Sequence, residues 1–364
     1  MLTFHPLKVA DVRPEGSDAL SISFEVPESL RQAYRFLPGQ HVGVRAQIDG
    51  QEVRRTYSIC SAADDSHLRI GVRVHDNGSM SQYLANQLRA GDNVDVLTPT
   101  GRFFAEPQPS TERTYCAFAG GSGITPILGI VRNLLAAEPN SRFMLFYSNR
   151  TTSTIMFAEE LLALKDRYPT RLSLYFILSR EPQDVELFNG RLDRDKVTLL
   201  SKDVFDPLET DAFFLCGPGD MIDGVRDTLL GLGVDTGRIH TERFASDMPV
   251  STTQPSPAAV PAKPKLAVAQ EVAQITITMD GRQRTFAMLD DDMTVLDAAE
   301  RVGMELPYSC RGGVCSTCRC KVTRGTVEME TNYALEPWEV EAGFVLCCQA
   351  KPTSADIEIT YDER

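Results

Sequence analysis

The chain has 364 residues, of which 42% are hydrophobic and 24% charged, so it is long enough for two or three globular domains. Its formal net charge of −13 argues against nucleic acid and anionic membranes as partners, since both select basic surfaces. The sequence does not open with a signal peptide, and no stretch reaches the roughly 18 apolar residues that a membrane span needs, so we expect a cytoplasmic protein.

The first predicted domain, residues 1–107, alternates apolar and polar residues in short runs punctuated by Gly, Asp and Pro. The runs are residues 20–24, 41–45, 57–60 and 68–74. A period of two residues with these turn signals predicts an antiparallel β-barrel.

A flavin site is predicted within this domain. The tetrapeptide Arg55-Thr56-Tyr57-Ser58 starts a strand, and Arg73 and Gly78-Ser79-Met80-Ser81 follow before a predicted helix at 82–88. A tyrosine can lie on a flavin ring, an arginine can pair with a phosphate, and a helix N-terminus binds anions. The tetrapeptide alone more commonly marks an ordinary strand, so the prediction depends on the order of all these residues.

The second predicted domain, residues 108–245, alternates apolar strands with helical patterns. Strands are predicted at 115–119, 142–147, 171–178 and 212–216, and helices reach to about residue 137 and over 157–165 and 221–230. Such alternation is typical of βαβ units, so we expect an α/β domain with a parallel sheet.

A nicotinamide site is predicted at the strand ends of this domain. Gly120-Gly121-Ser122-Gly123-Ile124-Thr125-Pro126 joins a strand to a helix, as a phosphate-binding loop does, although a plain tight turn is the alternative. Ser148 and Arg150 end the next strand, where no carboxylate stands for a ribose 2′-hydroxyl, which favours NADPH. Cys216 and Gly217 end a later strand, where ligands of α/β sheets bind.

Residues 246–272 are predicted to be a linker, since the stretch 246–269 contains five prolines and no apolar period. The third predicted domain, residues 273–364, begins with a hairpin around Asp280-Gly281 and a helix at 294–302. It holds 16 acidic and 9 basic residues, a net charge of −7, so the other residues carry −6 of the total. An acidic docking face and a merely solvated surface are both compatible with this excess.

Six of the nine cysteines lie between Cys310 and Cys348, which indicates metal or redox chemistry rather than a disulfide framework. Cys310, Cys315 and Cys318 have the x4 and x2 spacing of a plant-type [2Fe–2S] loop, with Cys348 as the distant fourth ligand. Structural zinc sites are usually built from two CxxC pairs, which this spacing does not match. The remaining Cys320 and Cys347 are predicted to pack in the core, because neighbours in a strand face opposite ways.

Together these motifs resemble the ferredoxin–NADP⁺ reductase superfamily, in the branch with a C-terminal plant-type ferredoxin domain. The resemblance is carried by the residues at 55–58, 120–126 and 216–219 and by the cysteine loop, and it covers the chain except for the linker. Within that branch, residues 34–41, 147–151 and 328–337 resemble the reductases of phenylacetyl-CoA epoxidase systems.

The resemblance implies a multidomain fold: a flavin-binding β-barrel, a nicotinamide-binding α/β domain and a β-grasp ferredoxin domain. It implies FAD beside Arg55, Tyr57 and Ser58, with Phe244 near the flavin, NADPH on the second domain, and a multisubunit diiron oxygenase as the electron acceptor. A steroid hydroxylase or a ring-hydroxylating dioxygenase is the alternative acceptor. A metal-binding module without turnover is the alternative class of function.

Overall fold

The structure is a computed structural model that describes residues 2–63, 65–244 and 270–363. These residues form two compact units, 2–243 and the described part of 244–364. Nearly all of the predicted linker lies outside the described residues. Strand pairing begins at Glu271, two residues before the predicted start of the third domain.

The first part of the larger unit is an antiparallel sheet of six strands in the order β4-β3-β6-β1-β2-β5. The sheet curls into a barrel, since Ile59, just after β4, bridges Ile70 on β5. Alternate side chains such as Ile22 and Val44 are fully buried inside it, which is the predicted period of two. The elements are β1 (Phe4–Pro14), β2 (Ala19–Glu25), β3 (His41–Ile48), β4 (Gln51–Ser58), β5 (Leu68–Arg73), α1 (Ser79–Asn86) and β6 (Asn93–Leu97).

Helix α1 begins at Ser79, three residues before the predicted helix. The Ser81 hydroxyl donates to the Gly78 carbonyl at 3.1 Å and accepts the His75 backbone N–H at 3.2 Å. These local bonds close the first turn, which apolar periodicity alone does not reveal.

The second part of this unit is a parallel sheet of five strands in the order β11-β10-β7-β8-β9. Its core is strongly aromatic, and Phe118 and Phe146 stack with ring centroids 5.0 Å apart. The elements are β7 (Thr114–Gly120), α2 (Ile124–Ala137), β8 (Arg142–Asn149), α3 (Ala158–Arg167), β9 (Leu172–Leu178), α4 (Arg194–Asp203), β10 (Ala212–Cys216), α5 (Gly219–Gly231) and β11 (Ile239–Glu242).

The strand order places a topological switch point between β7 and β10. From β7 the chain continues to β8 and β9 on one side, whereas β10 and β11 lie on the other. In open α/β sheets a crevice forms at such a point, beyond the carboxyl ends of the strands, and ligands bind there.

The smaller unit has a five-stranded mixed sheet in the order β13-β12-β18-β14-β16, in which β12 and β18 are parallel. A two-stranded sheet, β15 with β17, lies beside it, and the arrangement is the expected β-grasp fold. The elements are β12 (Glu271–Met279), β13 (Arg282–Leu289), α6 (Val295–Arg301), β14 (Arg319–Arg324), β15 (Val327–Met329), α7 (Pro337–Glu341), β16 (Phe344–Leu346), β17 (Ala350–Pro352) and β18 (Asp356–Thr360).

Within the described ranges, no helix combines the length and the apolar character needed to cross a membrane.

Candidate functional site

The four predicted ligand cysteines come together in the smaller unit. Three belong to the cysteine loop, residues 310–318 between α6 and β14, and the fourth follows β16. The thiol of Cys310 is hydrogen-bonded to that of Cys315, and the thiol of Cys318 to that of Cys348. No group of three or more His, Cys, Asp or Glu side chains in the described residues is arranged to hold a metal ion on its own. Two thiol pairs instead suit a two-iron cluster, in which each iron takes two cysteine ligands.

The loop backbone stabilises negative charge on these sulfurs. The Gly312 N–H donates to the Cys310 sulfur at 3.4 Å. The hydrogen bond with Cys315, with further bonds from the Val314 and Gly312 N–H groups, lowers the pKa of Cys310 to about 7 despite burial. Thiolates are the form that binds metal, so the loop favours the ligand state.

Two further features of the loop fit a buried cluster. Gly313 has φ +74°, and a Cβ there would lie 2.8 Å from the Thr331 carbonyl oxygen, so the close approach of the chain requires glycine. The Thr317 hydroxyl is buried and has no hydrogen-bond partner among the described residues. A buried donor between two ligand cysteines in sequence fits an acceptor supplied by cluster sulfur.

Cys347 faces away from this group. It is fully buried and lies beside the thiol of Cys320 and the phenol of Tyr361. Burial, with the neighbouring thiol, raises the pKa of Cys320 well above its ordinary value. Cys347 and Cys320 therefore pack in the core, whereas Cys348 joins Cys318.

The predicted nucleotide loop and the Cys216 turn meet at the switch point. A Cβ on Gly123 would lie 2.0 Å from the Cys216 carbonyl oxygen, and one on Gly120 would lie 2.6 Å from Pro218 Cδ. Only glycine allows these two turns to touch, and both end strands that border the crevice. Two turns that are far apart in the sequence thus form one surface.

The other residues predicted in these two turns have different surroundings. Gly121 accepts a hydrogen bond from the Tyr147 hydroxyl at 2.9 Å through its carbonyl oxygen. Thr125 is buried, and its hydroxyl donates to the Ser122 carbonyl at 3.0 Å, so this side chain shapes the turn. Gly217 packs against the backbone of Gly120.

The end of β8 carries Ser148 and an exposed Arg150, as predicted, and the structure adds residues from the end of β9. Arg180 is exposed, and its backbone N–H donates to the Arg150 carbonyl at 2.8 Å, so two guanidinium groups leave the same edge of the sheet. Glu181 accepts hydrogen bonds from the Thr152 hydroxyl and backbone N–H, at 2.6 and 2.8 Å, which lower its pKa. A carboxylate is therefore present at this edge, although β8 itself supplies none.

The flavin tetrapeptide ends β4, and its last residue has partners that sequence reasoning did not identify. Ser58 is buried and its hydroxyl donates to Glu242 Oε2 at 3.1 Å, while His41 Nδ1 lies 3.6 Å from Glu242 Oε1. Burial raises the pKa of Tyr57, which keeps its phenol neutral. Arg55 is exposed on the same strand, two residues from Tyr57.

Arg73 lies beside the nucleotide loop. Its guanidinium forms an ion pair with Asp18 at 2.6 Å, donates to the Thr154 carbonyl at 3.0 Å and lies next to Gly121. Its Nε is buried and has no partner among the described residues, so one donor remains for a ligand oxygen. Its role as a phosphate ligand stays a prediction.

At the N-terminus of α1, the hydrogen-bond donors available to an anion are backbone N–H groups rather than side chains. Met80 and Ser81 are buried, and the Ser81 hydroxyl is used within the turn. Because the first N–H groups of a helix have no intrahelical partner, the N–H groups after Gly78, beginning at Ser79, are the available anion donors. The helix packs against β3 and against β4, the strand that ends in the tetrapeptide.

Phe244 lies at the edge of the described residues, and the main cleft lies away from the predicted cofactor residues. Phe244 directly follows the Glu242-Arg243 pair and is the last described residue before 270, so its place near the flavin stays a prediction. A cleft of about 620 Å³ opens between β1, β2 and the C-terminal end of α1, and it contains none of the predicted cofactor residues.

Comparison with known proteins gives the same order of domains. The family model for an oxidoreductase FAD-binding domain matches residues 6–104, and that for an oxidoreductase NAD-binding domain matches residues 118–227. The family model for a 2Fe-2S iron-sulfur cluster binding domain matches residues 277–353. Each match falls on the sheet that carries the corresponding predicted residues.

The similarity also extends over whole chains. The sequence is 42% identical over 364 residues to one of the subunits of 1,2-phenylacetyl-CoA epoxidase from Escherichia coli (strain K12), covering 100% of this chain and 99% of the relative. The chain belongs to the ferredoxin–NADP⁺ reductase superfamily, in the branch with a C-terminal [2Fe–2S] domain. It is an NAD(P)H-dependent flavin and iron–sulfur oxidoreductase.

Two other comparisons span nearly the whole chain. The ferredoxin reductase component of 3-ketosteroid-9-alpha-monooxygenase from Rhodococcus rhodochrous is 32% identical over 98% of this chain and 96% of its own. The crystal structure of phthalate dioxygenase reductase has a TM-score of 0.58 at 22% identity, covering 98% of both chains, and it shows the shared fold.

Proposed function

We propose that this oxidoreductase is the reductase component of a phenylacetyl-CoA epoxidase. It passes electrons from NADPH through FAD and a [2Fe–2S] cluster to a multisubunit diiron oxygenase, in the cytoplasm, during aerobic phenylacetate degradation. The observation that carries this proposal is the 42% identity to a component of such an epoxidase over the full length of both chains. The 32% identity to a steroid monooxygenase reductase supports the second candidate, the same electron path to another oxygenase.

The residues of the chain bind and orient the cofactors. When bound, a flavin would supply hydride acceptance from the nicotinamide and the release of single electrons, so no acid or base of the protein would be required. Tyr57 and Ser58 flank the flavin ring, and the N-terminus of α1 binds its phosphates. Cys216, beside Gly123, positions the nicotinamide ring at the switch point.

The four thiols form the third site. Cys310 and Cys315 would hold one iron of the cluster, and Cys318 and Cys348 would hold the other. This assignment rests on the two thiol pairs and on the burial of Cys315, Cys318 and Cys348, each at most 5% exposed.

NADPH is proposed as the electron donor because of the charge at the ends of β8 and β9. Arg150 and Arg180 are adjacent through their backbones and exposed, and their side chains lack ion pairs with described residues. A 2′-phosphate would neutralise both guanidinium groups. Glu181 is the group that would favour NADH, since a carboxylate can accept hydrogen bonds from both ribose hydroxyls.

Steady-state kinetics with both nucleotides test the choice of donor. We expect kcat/KM to be higher for NADPH and to fall on the order of 10-fold or more when Arg150→Ala or Arg180→Ala removes a charged hydrogen bond. The same variants should leave kcat/KM for NADH nearly unchanged. A wild-type preference for NADH that is lost in Glu181→Gln would assign the site to NADH instead.

Reconstitution tests the partner. The purified holoprotein is mixed with NADPH, phenylacetyl-CoA, oxygen and the oxygenase subunits of the epoxidase, and the epoxide is followed by mass spectrometry. Product that depends on this chain is the expected result, and a Cys348→Ser variant that retains flavin is the matched negative control. If NADPH bleaches the flavin and the cluster but no epoxide forms, the reductase activity is supported and the epoxidase is rejected as the partner. Turnover with a steroid oxygenase under the same conditions would then support the second candidate.

A further inference from the structure

An exposed aromatic surface lies on the smaller unit, on α7 and the loop before it. Tyr333 is 48% exposed, Trp338 57% and Val340 42%. Trp338 is the single tryptophan of the sequence. Trp338 and Val340 flank the buried Glu339 on α7, and Tyr333 precedes them by five and seven residues. Exposed large apolar side chains that lie close together commonly mark a binding site, whereas scattered ones do not. We call these three side chains the docking surface.

The docking surface is attached directly to the cysteine loop. The Tyr333 backbone N–H donates to the Gly313 carbonyl at 3.0 Å. A Cβ on Gly313 would lie only 2.8 Å from the Thr331 carbonyl oxygen, so the two backbones are in close contact. The segment that carries the surface therefore contacts the loop that holds three of the four thiols, so a partner bound there lies close to the cluster.

A buried ion pair holds α7 in place. Glu339, between Trp338 and Val340, is fully buried, and its Oε1 accepts from Arg319 Nε at 2.7 Å. Arg319 directly follows the ligand Cys318, and its guanidinium stacks on the Phe344 ring at 3.5 Å. The second oxygen of Glu339 caps the helix by accepting the Glu336 N–H at 3.0 Å. The surface is thus pre-organised, which reduces the entropy lost on binding.

The segment that carries the surface is acidic. Residues 325–350 contain no lysine or arginine, and Glu328, Glu330, Glu336 and Glu341 are exposed. One of them, Glu330, forms an ion pair with Lys351 at 2.8 Å. Carboxylates around an apolar centre select a partner with a basic rim and reject acidic surfaces.

We propose that Tyr333, Trp338 and Val340 bind the oxygenase component, with Trp338 inserted into an apolar pocket that basic side chains surround. This inference rests on the proposed function, because it takes the electron-accepting oxygenase as the occupant. An aromatic centre with a charged rim matches the anatomy of protein interfaces, in which tryptophan and tyrosine commonly carry most of the binding energy. A nucleic acid or an anionic bilayer does not fit, since the segment that carries the surface is acidic.

The test measures binding of the full-length holoprotein to the immobilised oxygenase component by biolayer interferometry. We expect Trp338→Ala to raise Kd on the order of 30-fold, and Tyr333→Ala or Val340→Ala to raise it less. Trp338→Phe should recover part of the affinity. Met293, an apolar residue of the same unit that is 54% exposed, provides the matched control, and Met293→Ala should leave Kd unchanged.

Two further readouts define the role of the surface. Stopped-flow reduction of flavin and cluster by NADPH should keep its rate in Trp338→Ala, because the surface serves the outgoing electron. Glu336→Gln with Glu341→Gln should weaken the dependence of Kd on salt, as expected for rim charges.

The outcomes separate this inference from the proposed function. Wild-type binding with unchanged Kd in Trp338→Ala overturns the docking surface and leaves the proposed function standing. Slower cluster reduction in Trp338→Ala with unchanged Kd also overturns it, because the surface would then serve electron entry from the flavin. Absence of wild-type binding at any salt concentration overturns the proposed partner and the docking surface together.

Discussion

At the scale of single residues, two adjacent cysteines have opposite environments. Cys348 is paired with Cys318, whereas Cys347 contacts Cys320 and Tyr361. Cys348→Ser is therefore expected to lose the visible absorption and circular dichroism of the cluster, and Cys347→Ser to keep both. Iron content measured on the same samples provides a second reading. Loss of the spectrum in Cys347→Ser with an intact spectrum in Cys348→Ser would reverse the assignment.

The buried hydroxyl of Thr317 is predicted to affect the reduction potential of the cluster. This hydroxyl has no partner among the described residues, so a bond to cluster sulfur would stabilise the more negative reduced state. Thr317→Val should lower the reduction potential by about 40 mV, the equivalent of one hydrogen bond of about 1 kcal/mol. Redox titration followed by electron paramagnetic resonance measures it, with Thr317→Ser as the control that keeps the hydroxyl. An unchanged potential in Thr317→Val would contradict this role.

Spacing was sufficient to predict some site residues and not others. The cysteine loop is local, so x4 and x2 spacing already brings three thiols together. Arg180 and Glu181 follow β9 and Glu242 ends β11, so they were missed because only the sheet order places these two strand ends at the site. The carboxylate at the nucleotide edge follows β9, whereas the sequence motif that predicts this edge lies at the end of β8 alone.

At the scale of elements, the contact between the two crevice turns can be broken by one methyl group. Gly123→Ala places Cβ 2.0 Å from the Cys216 carbonyl oxygen, so the backbone must shift. We expect the free energy of unfolding to fall by about 2 kcal/mol or more. Gly231→Ala, where nothing lies within 4 Å, is the control and should stabilise by about 0.5 kcal/mol. Urea denaturation followed by circular dichroism distinguishes them, and equal stabilities would show that the turns do not need this approach.

Elements with a strong apolar period were predicted from the sequence. The strands of the parallel sheet and the hairpin around Asp280-Gly281 are present, with ends shifted by a few residues. Helix α4 was missed because its sequence is mostly polar and only Val197 and Leu200 are buried. Strand β11 has four residues, too few to show an alternating apolar pattern. Its strand conformation depends on parallel pairing with β10.

At the scale of the whole molecule, each of the two compact units has its own hydrophobic core, and the four predicted ligand thiols belong to the smaller one. Without iron, the four predicted ligand thiols lose the metal bonds that would join the cysteine loop to the residue after β16, so that unit is less stable. Anaerobic removal of iron should therefore lower the unfolding temperature of the smaller unit by on the order of 10 °C, as expected for losing a tightly bound ligand from a small domain. The larger unit, which takes FAD and the nucleotide, should keep its transition.

Differential scanning calorimetry of the holoprotein and the iron-free protein measures both transitions, and the rise in flavin fluorescence identifies that of the larger unit. Added FAD should raise only this second transition, because ligand linkage acts on the unit that binds the ligand. Reloading with iron and sulfide should restore the first. A single transition that moves as a whole when iron is removed would show that the units unfold together, and that the cluster stabilises the flavin-binding unit as well as its own.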